Sequence, residues 1–175
     1  MLPIPRHLKD ILRPIGTYNS EFVVIGNIAC DECSAENFTI KIVGDSSEYK
    51  EDRVIKVAEI NDEYYLIIKA KCNDCNKEHL IFDKDFHGWD SFVCADNSGE
   101  MPRPECEIWK CDKCDIANHS LTVGINSQGK DNFKQNLEGE FDEQDWTEAF
   151  EWITIKIVCN LCGDTNDEWV SYETM

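Results

Sequence analysis

Four C-x-x-C pairs constrain this chain more than anything else in it: Cys30/Cys33, Cys72/Cys75, Cys111/Cys114 and Cys159/Cys162. They take up eight of its ten cysteines. One such pair says little, but four of them, spaced as two similar long-range couples, match two four-thiolate metal sites. Two residues between cysteines make a tight turn that points both sulfurs at one ion. Two such turns supply the tetrahedral set that Zn²⁺ takes, with Zn–S near ~2.3 Å. Four protein ligands leave no open position for water, so the expected role is structural. The expectation is two Zn²⁺ per chain, one from Cys30, Cys33, Cys72 and Cys75 and one from Cys111, Cys114, Cys159 and Cys162.

The surroundings of the pairs repeat as well. CDECSAENFTIKI at 30–42 overlies CDKCDIANHSLTV at 111–123, sharing Asp31/Asp112 and Asn37/Asn118 besides the cysteines. YLIIKAKCND at 65–74 overlies WITIKIVCNL at 152–161, sharing Ile68/Ile155, Lys69/Lys156 and Asn73/Asn160. The same unit is written twice. Each copy alternates apolar and polar residues, in FTIKIV and YYLIIKAKC of the first and in SLTVGI and EWITIKIVC of the second. That is the period of a half-buried strand. Leu66, Ile68 and Ala70 share a face with Cys72, and Ile153, Ile155 and Ile157 share one with Cys159, so each strand's inner face leads into a metal site. HLIFD and EWVSYE predict a further strand after each second pair.

On these Cys pairs and strands the chain resembles the zinc-ribbon and rubredoxin-like group, over about 30–83 and 106–173. The resemblance implies two knuckles at strand ends holding one metal per unit. Knuckles of that group often carry a glycine after the second cysteine; here only Gly163 does, with Ser34, Asn76 and Asp115 at the other three places. The expected fold is mainly β, two zinc-ribbon-like repeats of short antiparallel strands with a short N-terminal helix, RHLKDIL between Pro5 and Pro14. Residues 1–20 form a cap, 21–83 the first repeat, 84–105 a connection and 106–175 the second repeat. Iron in place of zinc, redox use of the thiol pairs and pairing of cysteines across the repeats stand as alternatives.

Charge narrows the function. With 35 acidic and 17 basic residues the formal net charge is −18, and such a surface repels a phosphate backbone. Asp31, Glu32, Asp74 and Asp112 occupy the knuckles where a nucleic-acid-binding ribbon would place bases. The N-terminus, MLPIPRHLKDILRPIG, has prolines and charges where a signal peptide has its apolar core, and no stretch reaches membrane-spanning length, so a cytoplasmic protein with no membrane role is expected.

The acidic segment LEGEFDEQDWTEAFE at 137–151 reads as a solvated loop or short helix. Its sharper reading is a recognition surface for a basic protein, presented by Glu140, Phe141, Asp142, Glu143 and Trp146. Cys106 reads as a small core residue. Of His7, His79, His87 and His119, His79 and His119 each follow a Cys pair closely enough to substitute as ligands, but eight cysteines already complete two sites, so both read as ordinary strand residues. Around Cys94, DFHGWDSFVC reads as packing between the repeats, with Trp89 and Phe92 buried. The sequence has no Ser/His/Asp order, no phosphate-cradling glycine loop and no open metal site, so no enzyme is expected. The expected function is a non-enzymatic module that binds a basic protein, for instance to neutralise a toxin. A metal-handling or thiol-redox protein and a nucleic-acid-associated ribbon are the alternatives.

Overall fold

Alternating side chains do form strands; among the described residues nine of them join one curled antiparallel sheet, and the two at 58–60 and 63–65 form a separate hairpin. The computed structural model describes residues 1–46, 53–94, 102–136, 142 and 144–175. In chain order the strands are β1 (Leu12–Pro14), β2 (Val23–Ile28), β3 (Phe38–Val43), β4 (Ala58–Ile60), β5 (Glu63–Tyr65), β6 (Ile67–Cys72) and β7 (Glu78–Asp83). They continue with β8 (Glu107–Ile108), β9 (His119–Asn126), β10 (Trp152–Cys159) and β11 (Thr165–Glu173). Two short helices, α1 (Trp89–Cys94) and α2 (Lys130–Asn136), lie between them.

Each half builds the three-stranded unit its sequence predicts. β6 pairs with β3 and β7, with Phe38 opposite Cys72. β10 pairs with β9 and β11, with His119 opposite Cys159. The strand that precedes each first Cys pair behaves differently. β2, from the first half, lies along β9 of the second, with Val24 opposite Ile125. β8, from the second half, lies along β3 of the first, with Ile42 opposite Glu107. Phe38 and His119 meet where β3 and β9 touch, so the exchange is reciprocal about that point.

Burial follows the alternation. In β10 Ile153, Ile155, Ile157 and Cys159 are buried while the residues between them are half-exposed. The buried faces of both halves form one contiguous cluster that includes Phe38, Ile40, Ile68 and Phe82 with Ile125, Phe150, Ile155 and Trp169. Trp109 packs on Trp169 at 5.5 Å between ring centroids. Removing a side chain as large as Ile68 from such a core costs about 2–5 kcal/mol.

The N-terminal helix expected over RHLKDIL is one 3-10 turn, Arg6–Leu8. The chain then extends so that Leu12–Pro14 form an edge strand on β2. The apolar spacing of Leu8, Ile11 and Leu12, all buried, serves both outcomes, and pairing with β2 decides it. Pro14 is tolerated because this strand is an edge. Opposite it stands Gly26, where a Cβ would sit 2.7 Å from the Arg13 carbonyl oxygen.

The 84–105 connection holds α1, whose Trp89 and Phe92 are half-buried against Phe133, Trp146 and Ala149 of the second half. This is the packing role read for that segment, although the Cys94 side chain lies outside the described residues. Cys106 is half-buried against Val43, Tyr65 and Ile67, as a small core residue would be. No helix among the described residues is long and apolar enough to cross a membrane.

Candidate metal centres

All four C-x-x-C pairs fold into the same knuckle. In each, the first cysteine's carbonyl accepts the N–H of the residue after the second cysteine: Ser34, Asn76, Asp115 and Gly163, at 2.8 to 3.0 Å. Its N–H in turn donates to the carbonyl of Ala35, Lys77, Ile116 or Asp164, also at 2.8 to 3.0 Å. This turn requires positive φ at the residue after the second cysteine, and the four angles are 61°, 66°, 58° and 74°. Glycine is therefore a convenience here and not a requirement; Asn and Asp tolerate this region better than other side chains.

The knuckles meet in two pairs, as the duplication predicts. The sulfurs of Cys30, Cys33, Cys72 and Cys75 gather at one point and those of Cys111, Cys114, Cys159 and Cys162 at another, every sulfur within 4.8 Å of the others in its set. Between knuckles the contacts are 3.4 Å for Cys30–Cys75, 3.5 Å for Cys33–Cys72, 3.6 Å for Cys111–Cys162 and 3.5 Å for Cys114–Cys159. A tetrahedron with metal–sulfur bonds of ~2.3 Å has edges of about 3.8 Å, so each set fits around one ion. The two quartets are positioned to bind metal, and no pairing crosses between the halves. In each quartet the first cysteine of a knuckle is buried, and one second cysteine, Cys33 or Cys162, is exposed.

The repeated asparagines join the knuckles. The Asn73 N–H donates to the Asn37 carbonyl at 3.0 Å and the Asn160 N–H to the Asn118 carbonyl at 2.9 Å. A charged link spans each quartet too, with its polarity reversed between the two. In the first, Lys77 after Cys75 reaches Asp31 at 2.8 Å and Glu32 at 3.2 Å. In the second, Lys113 between the cysteines reaches Asp164, after the opposite knuckle, at 2.6 Å. Asp164 also takes Arg53 at 2.6 Å, and these cations hold its carboxyl below the usual range, the Lys113 hydrogen bond most of all.

The thiols divide: Cys30, Cys72 and Cys159 are held below the usual thiol value, whereas Cys33, Cys75, Cys111 and Cys114 are pushed above it. Burial pushes Cys159 up, but the N–H groups of Cys162 and Leu161 outweigh it and bring the thiol to about 7. The same contest lowers Cys72 through the N–H groups of Cys75 and Asp74. An N–H from Ala35 favours a thiolate at Cys33, yet its hydrogen bond to Cys72 and burial push it up to about 12. Four sulfurs this close cannot all ionise alone; a divalent ion removes that conflict and releases the protons.

His79 is a strand residue that also borders the first quartet. It is buried in β7 with Nε2 3.4 Å from the Cys30 Sγ and 3.8 Å from a carboxylate oxygen of Asp31. The signal was its place four residues after Cys75. Its counterpart by spacing in the second half is Asn166, which donates to the Arg53 carbonyl and lines a small hollow with Cys111 and Cys159. His119 is buried beside Cys159, with neither ring nitrogen bonded among the described residues. His7 and His87 stack face to face at 3.6 Å.

The acidic recognition surface fares unevenly. Glu140, Phe141 and Glu143 lie outside the described residues. Asp142 is exposed, its N–H bonded to Asp145 at 2.8 Å. Trp146 corrects the expectation: only 3% exposed, in the 3-10 turn Asp145–Thr147, it packs with Phe133 and Ala149. Phe150 is also buried. The turn sends the Trp146 ring inward and leaves Asp142 and Gln144 exposed, with Asp145 and Glu148 half-exposed beside Arg6. No known protein family, no curated protein and no solved structure matches this chain.

Proposed function

We propose that the chain is a non-enzymatic, cytoplasmic interaction module, in which two structural Zn²⁺ ions hold a pair of zinc-ribbon-like repeats and the acidic exterior receives a basic protein. The observation that carries the metal half is the geometry of the quartets: four thiols each, at metal-compatible spacing, on knuckles braced by the same hydrogen bonds. Four thiolates favour zinc over harder cations and leave it no position for substrate. The partner half is supported by the net charge of −18, since complementary charge accelerates and orients association. A neutraliser of a basic toxin or nuclease is one such module. The acidic knuckles at Asp31, Glu32 and Asp112 speak against nucleic acid.

Elemental analysis with thiol counting tests the metal half. Two zincs per chain, with eight thiols protected until unfolding, is the expected result; iron, or disulfides within the pairs, would sink it. Capture of partners from native lysate tests the other half. Basic proteins should be retained at low salt and lost when Asp142 and its neighbours Glu140 and Glu143 are reversed to lysine. Retention that ignores both salt and charge reversal would count against the reading.

One observation favours a second reading. Cys33 and Cys162 are exposed, giving each quartet a sulfur open to chelators and oxidants. A metal-exchanging or thiol-redox protein would lose zinc to a competing chelator within minutes and keep its fold; a structural pair of ions would leave only as the fold is lost.

A further inference from the structure

Beside the knuckle of Cys111 and Cys114 the surface carries a groove. It opens between β8 and the β4–β5 hairpin, over the end of β3, with a volume of about 450 Å³. A second hollow of about 330 Å³ reaches Tyr65, Pro102 and Pro104, and Ile60 lines both. The floor is apolar: Ile42 and Val43 are buried, with Ala58, Ile60 and Trp109 half-buried beside them.

Two features of β8 are left unused among the described residues. Ile108 is 55% exposed in the middle of this lining. The Trp109 N–H donates to the Ile40 carbonyl at 2.8 Å; by the alternation of an antiparallel ladder, the N–H and C=O of Ile108 then face away from β3. The strand therefore offers a short open edge of the kind that an extended peptide extends.

Charge says what that peptide is. Glu63, Glu105, Glu107 and Asp112 line the two hollows, all exposed, and none has an ion-pair partner among the described residues. Some acids elsewhere are engaged, Asp31 and Glu32 by Lys77, Glu78 by Lys41, Asp83 and Asp85 by Arg103, and Asp164 by Lys113. Others, such as Asp10 and Glu21, are not, and what sets these four apart is their place around one apolar floor. The one lysine of the lining, Lys110, is tied to Asp115 at 3.2 Å.

We infer that this groove docks an extended, basic segment of a partner protein, added as a strand to the open edge of β8. Its alternate side chains fall on the apolar floor around Ile60 and Ile108, and the intervening lysines or arginines meet the carboxylates of the rim. The inference rests on the basic-partner reading and gives it a location.

The test uses zinc-loaded, full-length protein and a fluorescent nine-residue peptide alternating lysine with valine, with a glutamate-for-lysine peptide as control. Glu105→Lys/Glu107→Lys should weaken the lysine peptide at least tenfold. Asp10→Lys/Glu21→Lys, an equal charge change outside the groove, should weaken it less than threefold. Amide shifts on titration should cluster at 42–46, 58–60 and 105–110. Equal weakening by both variants, shifts spread over the whole surface, equal binding of the glutamate peptide, or a self-associating chain that occludes the groove would each overturn the inference. If basic proteins captured by the wild type are captured equally by the groove variant, the groove falls and the basic-partner reading stands. If neither peptide nor basic protein binds, both fall.

Discussion

At the scale of single residues, the knuckles show how far a backbone requirement can hide behind unlike side chains. Only Gly163 announces a left-handed turn in the sequence, yet Ser34, Asn76 and Asp115 adopt the same φ. Ser34 is the least suited of the four, so Ser34→Gly should raise stability by about 0.5–1 kcal/mol. Gly163→Val should lower it by more than 1 kcal/mol, since a β-branched side chain meets the full penalty; denaturant unfolding of the zinc-loaded protein measures both. The His7–His87 stack makes a prediction about acid. Burial holds His7 at about 4 and His87 at about 3, the latter depressed further by the charge of His7. Both are neutral when folded and titrate near ~6.5 when unfolded, so the unfolded chain binds more protons below that pH. The stability they contribute is complete above ~6.5 and falls as pH drops toward 4. By pH 5.5 the loss is about 1 kcal/mol per histidine. Against a His7→Phe/His87→Phe variant, in which metal loss on acidification is common to both proteins, wild type should lose this difference between pH 8 and pH 5.5. Unchanged imidazole-dependent stability over that range would show the pair to be solvated.

At the scale of elements, what was readable was whatever repeated at short range. Ile153, Ile155, Ile157 and Cys159 declared β10 and its inner face, and the structure has them so. The hairpin of β4 and β5 has a weaker local signal: Asn61 and Asp62, both at positive φ, are residue types that tolerate the left-handed conformation a two-residue type I′ turn needs, without the glycine such turns prefer. The partners of β2 and β8 had no local signal at all, because pairing with a distant strand depends on how the halves come together. Trp146 was misjudged for a related reason: seven acids around it describe solvent, but helical phase points its ring at Phe133. The knuckle pair is the element that binds, and it should fail as a unit. Cys72→Ser, which removes a buried ligand, should reduce bound metal from two ions per chain to one by elemental analysis; Cys159→Ser should do the same for the other quartet. Loss of both ions from either single variant would mean that the quartets depend on each other for occupancy.

At the scale of the molecule, the reciprocal placement of β2 and β8 makes each half an essential part of the other's sheet. Residues 21–83 or 106–175 expressed alone, with zinc, should therefore lack the amide dispersion of a folded β protein, and mixing the two should restore it. Full-length protein should unfold in one transition by circular dichroism and by tryptophan fluorescence, because the buried cluster is common to both halves. A well-dispersed spectrum from either fragment alone would show that the crossed strands are ornament. The crossing also has a consequence for how the protein is made. On the ribosome, the partner of Val24 is Ile125, roughly a hundred residues later, which at ~5–20 residues per second is a wait of about 5–20 s. The first quartet is complete at Cys75, well inside that interval, so a newborn chain can take its first metal ion while the edge of β2 that faces β9 is still unpaired. Translation, and not metal supply, sets how long that bare edge stands open to its neighbours.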